Sequence, residues 1–329
     1  MITTRTPLRV SFVGGGTDYK SFFSRTNGAV VGCTIDLNVY VTLLKLPKFA
    51  REKFRFTYRQ TESVSDIGDM KHPVVREMMR NLHWDIPLNI ATMADVPGNS
   101  GLGSSSAFTV GLLLGLKKLD SNKDLDPARL AEKAVEIERV LLAEPGGYQD
   151  QYHAAFGGFR SYEFTKTSVH VGEKFMDQSQ LNELSRYFTL VATGNARDSK
   201  KYAEVTANVA SIDDELITLA GLARELSRFL TSEDNVEVIA STLFSFMNEG
   251  WEIKKHFHDS IAPVEVLRTI DIGKSKGAIA AKLCGAGSSG FLLFGHPPEA
   301  QMELMSAFPS GFSFPAAFID RGSQIVFAS

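Results

Sequence analysis

The chain reads as an α+β protein of two domains, and three observations carry that expectation. Strand-like apolar segments recur over 5–13, 28–43, 53–60 and 87–95. An apolar run of helical length, Ala107 to Leu119, follows directly on a stretch rich in glycine and serine. A polar, aperiodic segment from about 165 to 186 then separates this half from a mostly helical stretch and a last group of strands. At 329 residues the chain is long enough for two cores. The boundary is placed at 175, giving units of 1–175 and 176–329.

Bulk composition excludes several classes. Charged residues make up 22 % and apolar residues 43 %, ordinary globular values. The net charge of −3 gives no electrostatic basis for binding nucleic acid or an anionic membrane. Cys33 and Cys284 lie far apart in apolar contexts, without a C-x-x-C or a Cys/His cluster. They are expected to be free buried thiols rather than a disulfide or a zinc site. Met1-Ile2-Thr3-Thr4-Arg5 enters a strand at once, and no apolar run is long enough to span a membrane. The expectation is a cytoplasmic protein, with a homodimer as the commonest assembly for an enzyme of this size.

In chain order, residues 5–13 alternate, with Leu8, Val10 and Phe12 on one face and Arg9, Ser11 and Val13 on the other. Arg9 is therefore either solvated or turned to a polar pocket. The strand runs into Gly14-Gly15-Gly16-Thr17-Asp18-Tyr19, a tight turn whose side chains would suit a polyol. Residues 28–43 form one long strand or a bent pair. In 53–60, Phe54, Phe56 and Tyr58 alternate with Arg55, Thr57 and Arg59, as in a strand with one buried and one wet face rather than a nucleic-acid platform. A short helix is predicted over about 73–83, and a strand over 87–95.

Next comes Pro97-Gly98-Asn99-Ser100-Gly101-Leu102-Gly103-Ser104-Ser105-Ser106-Ala107. Glycines turn backbone amides toward one point, and the helix that follows adds the positive end of its dipole, which together favour a phosphate. A second helix is predicted from Asp126 as N-cap, with Pro127 at its first position, to about Ala143. Its apolar stripe runs through Leu130, Ala131, Ala134, Val135, Leu141 and Leu142, and Glu138 falls on the same face. A carboxylate there requires a salt bridge, a path to water or a metal. Asp150, between Gln149 and Gln151 after Gly146-Gly147, suits a structural turn and a held catalytic carboxylate alike.

Phe188–Thr193 is a new strand leading to Gly194-Asn195-Ala196-Arg197, and helices are predicted over 199–276 with breaks near Asp234, Gly250 and Pro263. A strand over Ala278–Leu283 opens into Gly285-Ala286-Gly287-Ser288-Ser289-Gly290, and another follows over Phe291–Phe294. This spacing matches the dinucleotide fingerprint, but a strand follows it instead of a helix, and too little chain remains for a nucleotide-binding half. A helix over 297–308 and two strands joined by Asp320-Arg321-Gly322 close the chain.

The three glycine stretches, 7–19, 97–107 and 282–290, resemble in order motifs 1, 2 and 3 of the GHMP kinase superfamily, which includes galactokinase, homoserine kinase, mevalonate kinase and phosphomevalonate kinase. The resemblance spans nearly the whole chain. It implies an N-terminal domain like domain 2 of ribosomal protein S5, a ferredoxin-like C-terminal domain, and ATP between them. Pro97, Gly98, Ser100, Gly101, Leu102, Gly103, Ser104, Ser105 and Ser106 would bind the nucleotide, while Gly285 and Gly287 would support that loop. Ser105 and Glu138 would hold Mg2+, with Ser104 or Ser106 able to share the serine's part. Asp150 matches the base of the galactokinase-type members, and Arg9 the arginine beside it. Gly15, Gly16, Thr17, Asp18, Tyr19 and Gly147 would line the sugar.

Gly14-Gly15-Gly16 replaces the Gly-Glu-His of galactokinase, which argues against galactose. The motifs look instead like the branch that phosphorylates the anomeric hydroxyl of D-glycero-D-manno-heptose 7-phosphate for surface-polysaccharide synthesis. Arg197, with Lys200 and Lys201, is a candidate for the distal phosphate, or a solvated helix start. A kinase of fucose or another hexose, and a non-catalytic sugar-sensing relative, are the other readings. The second would usually have lost Asp150, Glu138 or Ser105.

Overall fold

The computed structural model describes residues 1–98, 100–121, 126–194, 212–258, 261–285, 287 and 290–329. In the first half, β1 (Ile2–Val13), α1 (Lys20–Phe23), β2 (Gly28–Lys45), β3 (Phe54–Thr57), β4 (Thr61–Val64), α2 (Pro73–Asn81) and β5 (Leu88–Ala94) precede α3 (Ser104–Ser121). Then come α4 (Pro127–Val135), a π-helical turn (Glu136–Leu141), α5 (Gln149–Phe156), β6 (Phe159–Phe164) and β7 (Val169–Val171). The second half holds α6 (Gln178–Ser185), β8 (Phe188–Ala192), α7 (Asp213–Ser232), α8 (Val236–Lys254), α9 (Val264–Ser275), β9 (Ala280–Leu283) and β10 (Phe291–Gly295). It ends with α10 (Gln301–Ser306), β11 (Ser313–Pro315), β12 (Phe318–Ile319) and β13 (Gln324–Ala328).

β2 is the spine of the larger sheet. Its run of Val30, Val31, Thr34, Ile35, Val39 and Val41 is stiff, β-branched chain that favours an extended backbone. One edge pairs with β1, and the other is shared by β6 at 28–33, β12 at 34–35 and β5 at 39–45, all antiparallel. β3 lies parallel to β5 and antiparallel to β4, with Phe54 and Phe56 buried and Arg55 exposed. A smaller antiparallel sheet has the order β11-β8-β10-β9.

β1 departs from a strand with a wet face, because Thr6 through Val10 are buried without interruption. α3 presses close because it carries glycine at the contact. A Cβ on Gly111 would stand 2.6 Å from Thr6 Oγ1, and one on Gly115 2.5 Å from Leu43 Cδ1. Phe12 sits at the join of the two sheets, its ring edge-to-face with Phe159, Phe188 and Phe318 at 5.3, 5.6 and 5.8 Å between centroids. The larger core runs through both sheets, while a second cluster of Val191, Trp251, Leu283, Phe294 and Leu304 lies under the smaller one.

Three expectations change. The helix from Asp126 does begin at its predicted cap, with the side chain accepting from Arg129 N–H, but it widens into the π turn after Val135. That shift of register leaves Val140 and Leu141 exposed, so Leu141 does not belong to the apolar stripe. Gly250 does not break a helix. It lies inside α8, where a Cβ would meet Val13 Cγ2 at 3.3 Å, so it sets how closely α8 approaches β1. The two terminal strands do not form a hairpin: β12 joins β2 and β13 joins β1. The boundary at 175 therefore cuts the sequence but not the larger sheet, which takes strands from both sides of it. Cys33 and Cys284 are free and buried, as expected.

Candidate active site

Three glycine-bearing segments meet in one cleft. Gly15 and Gly16 border it from just beyond β1, Ser100, Gly101 and Gly103 from the loop before α3, Ser104 to Ser106 from the first turn of α3, and Gly285 from the loop after β9. The last two loops interlock through bare backbone. Gly101 has φ +76° and Gly285 φ +72°, and a Cβ on Gly285 would stand 2.6 Å from Gly101 Cα. A Cβ on Gly290 would likewise meet the Ser100 carbonyl at 2.4 Å. The third motif is thus a buttress for the second. Gly285→Ala is expected to weaken binding of a phosphate-bearing ligand at this loop roughly tenfold, since such backbone strain costs about 1–3 kcal/mol; equilibrium titration with a nucleoside triphosphate as probe checks it.

The first bond of α3 runs from Ala107 N–H to the Gly103 carbonyl at 3.0 Å, so the amides of Ser104, Ser105 and Ser106 precede the helical ladder and are available to an anion at the cleft. Arg9 is buried beneath this loop. Its Nε and Nη2 donate to Asp150 Oδ1 at 2.8 and 2.6 Å, and its Nη1 to the Gly101 carbonyl at 2.6 Å. Arg9 therefore faces a polar pocket and is not solvated. It joins the N-terminal part of the helix that carries Asp150 to the phosphate-type loop.

Asp18 is fully buried. Its carboxylate accepts from Gly16 N–H at 3.1 Å and from Gln149 N–H at 3.0 Å, tying the first glycine turn to the start of α5. Burial pushes its pKa upward, against those two amides, and the nearby Asp150 charge adds to the rise. A Cβ on Gly147 would collide with this carboxylate at 1.8 Å, which explains the glycine there. Gly16, Asp18, Tyr19 and Gly147 all border the cleft.

Glu138 lies on the π turn with only 1 % exposure. Its carboxylate accepts from Ser106 Oγ at 2.8 Å, Gln151 Nε2 at 2.5 Å and Thr109 Oγ1, and has Arg139 Nη2 at 3.2 Å. Burial raises its pKa, opposed by Arg139 and then by these hydrogen bonds. The serine that meets Glu138 is Ser106, not Ser105. Along a helix, positions 106 and 109 share a face, whereas Ser105 is exposed and borders the cleft without meeting Glu138. Ser106 Oγ and the Glu138 carboxylate are hard oxygen donors, a set that fits Mg2+ completed by phosphate oxygens. Among the described residues no cluster of three His, Cys, Asp or Glu gathers, so a metal cage made by protein alone is not formed.

Other expected site residues fall elsewhere. Thr17 is buried, its hydroxyl donating to the carbonyls of Gly14 and Ala29 at 2.8 and 2.9 Å, so it shapes the turn and does not face a ligand. The Leu102 side chain is in the core and its carbonyl accepts from Arg9 N–H at 3.0 Å. Pro97 and Gly98 do not border the cleft, and a Cβ on Gly98 would stand 2.7 Å from Arg59 Nη2. Arg197, with Lys200 and Lys201, lies outside the described residues.

Sequence reasoning missed Lys254, Arg139 and Gln149, which border the cleft, and His153 behind it. No local motif marks them. His153 Nδ1 lies 2.9 Å from the Gln149 carbonyl, which only accepts, so the proton is on Nδ1 and Nε2 is left buried without a partner. Burial pushes its pKa from 6.5 down to about 4. Between those values the unfolded chain binds a proton that the folded chain refuses, so stability falls as pH is lowered through this window, by on the order of 3 kcal/mol. His153→Asn, which keeps the donor to Gln149, is expected to flatten that part of the profile of Tm against pH.

Comparison with known proteins agrees with this geometry. Residues 71–158 match the family of GHMP kinases N terminal domains. Over 321 residues the chain is 29 % identical to the D-glycero-alpha-D-manno-heptose 7-phosphate kinase of Campylobacter jejuni subsp. jejuni serotype O:2, covering 93 % of this chain and 92 % of that one. It is 23 % identical to the galactokinase of Pyrococcus furiosus over 320 residues, covering 88 % and 87 %. The crystal structure of a D-glycero-D-manno-heptose 1-phosphate kinase from Bacteroides thetaiotaomicron superposes with a TM-score of 0.79 at 24 % identity, covering 100 % of both chains. The α+β architecture expected from the three motifs is the one that structure has. Among the described residues no helix is long and apolar enough to cross a membrane.

Proposed function

We propose that this chain is a sugar kinase of the GHMP superfamily, which its N-terminal family match and its Campylobacter relative support, and that it transfers the γ-phosphoryl group of Mg·ATP to the anomeric hydroxyl of D-glycero-D-manno-heptose 7-phosphate, giving the 1,7-bisphosphate. The observation that carries this reading is the seat of Asp150. Its carboxylate is held by buried Arg9 and lies against the loop at the start of α3, where a Cβ on Gly103 would stand 3.3 Å from Asp150 Cγ. A base for the acceptor hydroxyl and a cradle for the phosphates are thereby adjacent. Choice of the heptose acceptor rests on the Campylobacter relative, together with a first glycine turn that lacks galactokinase's polar pair.

Asp150 orients the anomeric hydroxyl and takes its proton as the new O–P bond forms and the bond to the leaving ADP oxygen breaks. The free amides of Ser104 to Ser106 hold phosphate oxygens in line with that hydroxyl. Ser106 and Glu138 would hold Mg2+, which when bound neutralises phosphate charge. Arg9 fixes Asp150 and places a positive charge beneath the reacting group. Asp18 acts by bracing the two turns that face the sugar, through Gly16 and Gln149.

³¹P NMR of the protein with Mg·ATP tests the reading. A new anomeric phosphate signal is expected with D-glycero-D-manno-heptose 7-phosphate, and none with fucose, mannose or galactose. Turnover of a free hexose alone would overturn the acceptor, and silence with every sugar would overturn the kinase mechanism for this chain.

A further inference from the structure

Among the described residues, three cationic side chains border the cleft: Arg9, Arg139 and Lys254. Two are already matched by carboxylates. Arg9 is held by Asp150, and Arg139 lies 3.2 Å from Glu138 Oε2 while its Nε donates to the Gly147 carbonyl at 3.1 Å. Lys254, at the last turn of α8, donates to the Gly285 carbonyl and has no carboxylate within ion-pair distance among the described residues. An ammonium has three donors, so with one on the Gly285 carbonyl the others are open to the cleft that this half-buried side chain borders. An anion entering the cleft can meet them. Loss of solvent pushes the Lys254 pKa from 10.5 down to about 8, against the opposing charges of Asp18 and Asp150.

The position of Lys254 selects among the anions that enter the cleft. One turn earlier Gly250 lies against Val13, the residue that leads into the first glycine turn. Just beyond it, a Cβ on Gly16 would meet Phe257 at 3.8 Å. Lys254 is thus built into the wall that carries the turn facing the acceptor, and through the Gly285 carbonyl it also adjoins Gly101, on the loop that leads to the serine amides of α3. We propose that Lys254 is a specificity-determining residue that binds a phosphate group already present on the acceptor sugar. The inference rests on the proposed function, in which the acceptor is a sugar phosphate. A neutral hexose would fill the same space and leave the ammonium without a charged partner, and a site that loses a partner for a charge it has covered discriminates strongly.

The test compares wild type, Lys254→Met and Lys254→Gln with D-glycero-D-manno-heptose 7-phosphate and with the unphosphorylated heptose. Met keeps the apolar stem, and Gln keeps a donor for the Gly285 carbonyl, so that one of the two retains the fold. Both variants are expected to raise KM for the phosphorylated acceptor by about 10²-fold, the cost of one lost charge-assisted contact. KM for the free heptose and for ATP should stay within about threefold, so the preference for the phosphorylated sugar collapses. A fall in kcat shared equally by both acceptors would assign Lys254 to the transferred phosphoryl group and overturn the inference. An unchanged KM for the heptose phosphate would overturn it while leaving the proposed function intact. Turnover of free sugars alone by the wild type would overturn both.

Discussion

Asp150→Asn is expected to lower kcat by about 10²–10⁴-fold, the usual contribution of a positioned general base. Asparagine has nearly the same shape, and its Oδ1 can still accept from Arg9 Nε, which now bonds the aspartate at 2.8 Å. The seat of the residue against Gly103 is also retained, so the phosphate loop keeps its support. What is lost is the oxygen that takes the proton and the negative charge that balances Arg9. KM for ATP should change little. The contrast is what makes the measurement specific: rapid-quench turnover at saturating Mg·ATP reads the chemical step, and nucleotide titration reads the loop. A variant within tenfold of wild type would remove Asp150 from the role of base.

The second large effect is expected at Glu138. Replacement by Gln preserves the size of the side chain and one acceptor oxygen, which can still take Ser106 and Gln151, while its NH2 turns to Thr109 Oγ1, a hydroxyl that can accept. It removes a charge whose burial is already unfavourable, as the raised pKa shows. Stability should therefore survive, with Tm close to wild type. Activity should not. We expect kcat to fall about 10²–10³-fold, the scale for deleting an electrostatic contact to a transferring group, and the Mg2+ concentration for half-maximal rate to rise. Two serine variants sharpen the point. Ser106→Ala should follow Glu138→Gln in its Mg2+ requirement, whereas Ser105→Ala should stay close to wild type, because Ser105 is exposed and does not meet Glu138. A large effect at Ser105 and none at Ser106 would return the metal to the site first expected from the motif.

The two serines show where reading the chain runs out. Ser104-Ser105-Ser106 marks a helix start and an anion site from composition alone, because the requirement is for amides and small side chains. Which hydroxyl turns inward depends on the phase of α3 against a π turn more than thirty positions away, and a π turn leaves no periodic trace of its own. Leu141 was placed in the apolar stripe for the same reason. Gly250 looked like punctuation, yet it is a contact between α8 and β1, since glycine serves close approach as readily as a break.

β4, β6 and β7 were not legible in the chain, but strands β1, β2, β3, β5, β8, β9 and β10, the cap at Asp126 with Pro127 after it, and the glycine turns were. Each depends on backbone preferences and side-chain alternation within a few neighbouring residues, which folding elsewhere does not alter. Tertiary structure decided the rest. It buried Arg9 and joined it to Asp150, 141 positions later. It brought β12 and β13 back to the first sheet, turned Asp18 into a brace between two turns, and set Lys254 in the cleft wall, bonded to the Gly285 carbonyl. These are partnerships between distant side chains, and their energy lies in distance, burial and charge, which exist only once the elements have packed together.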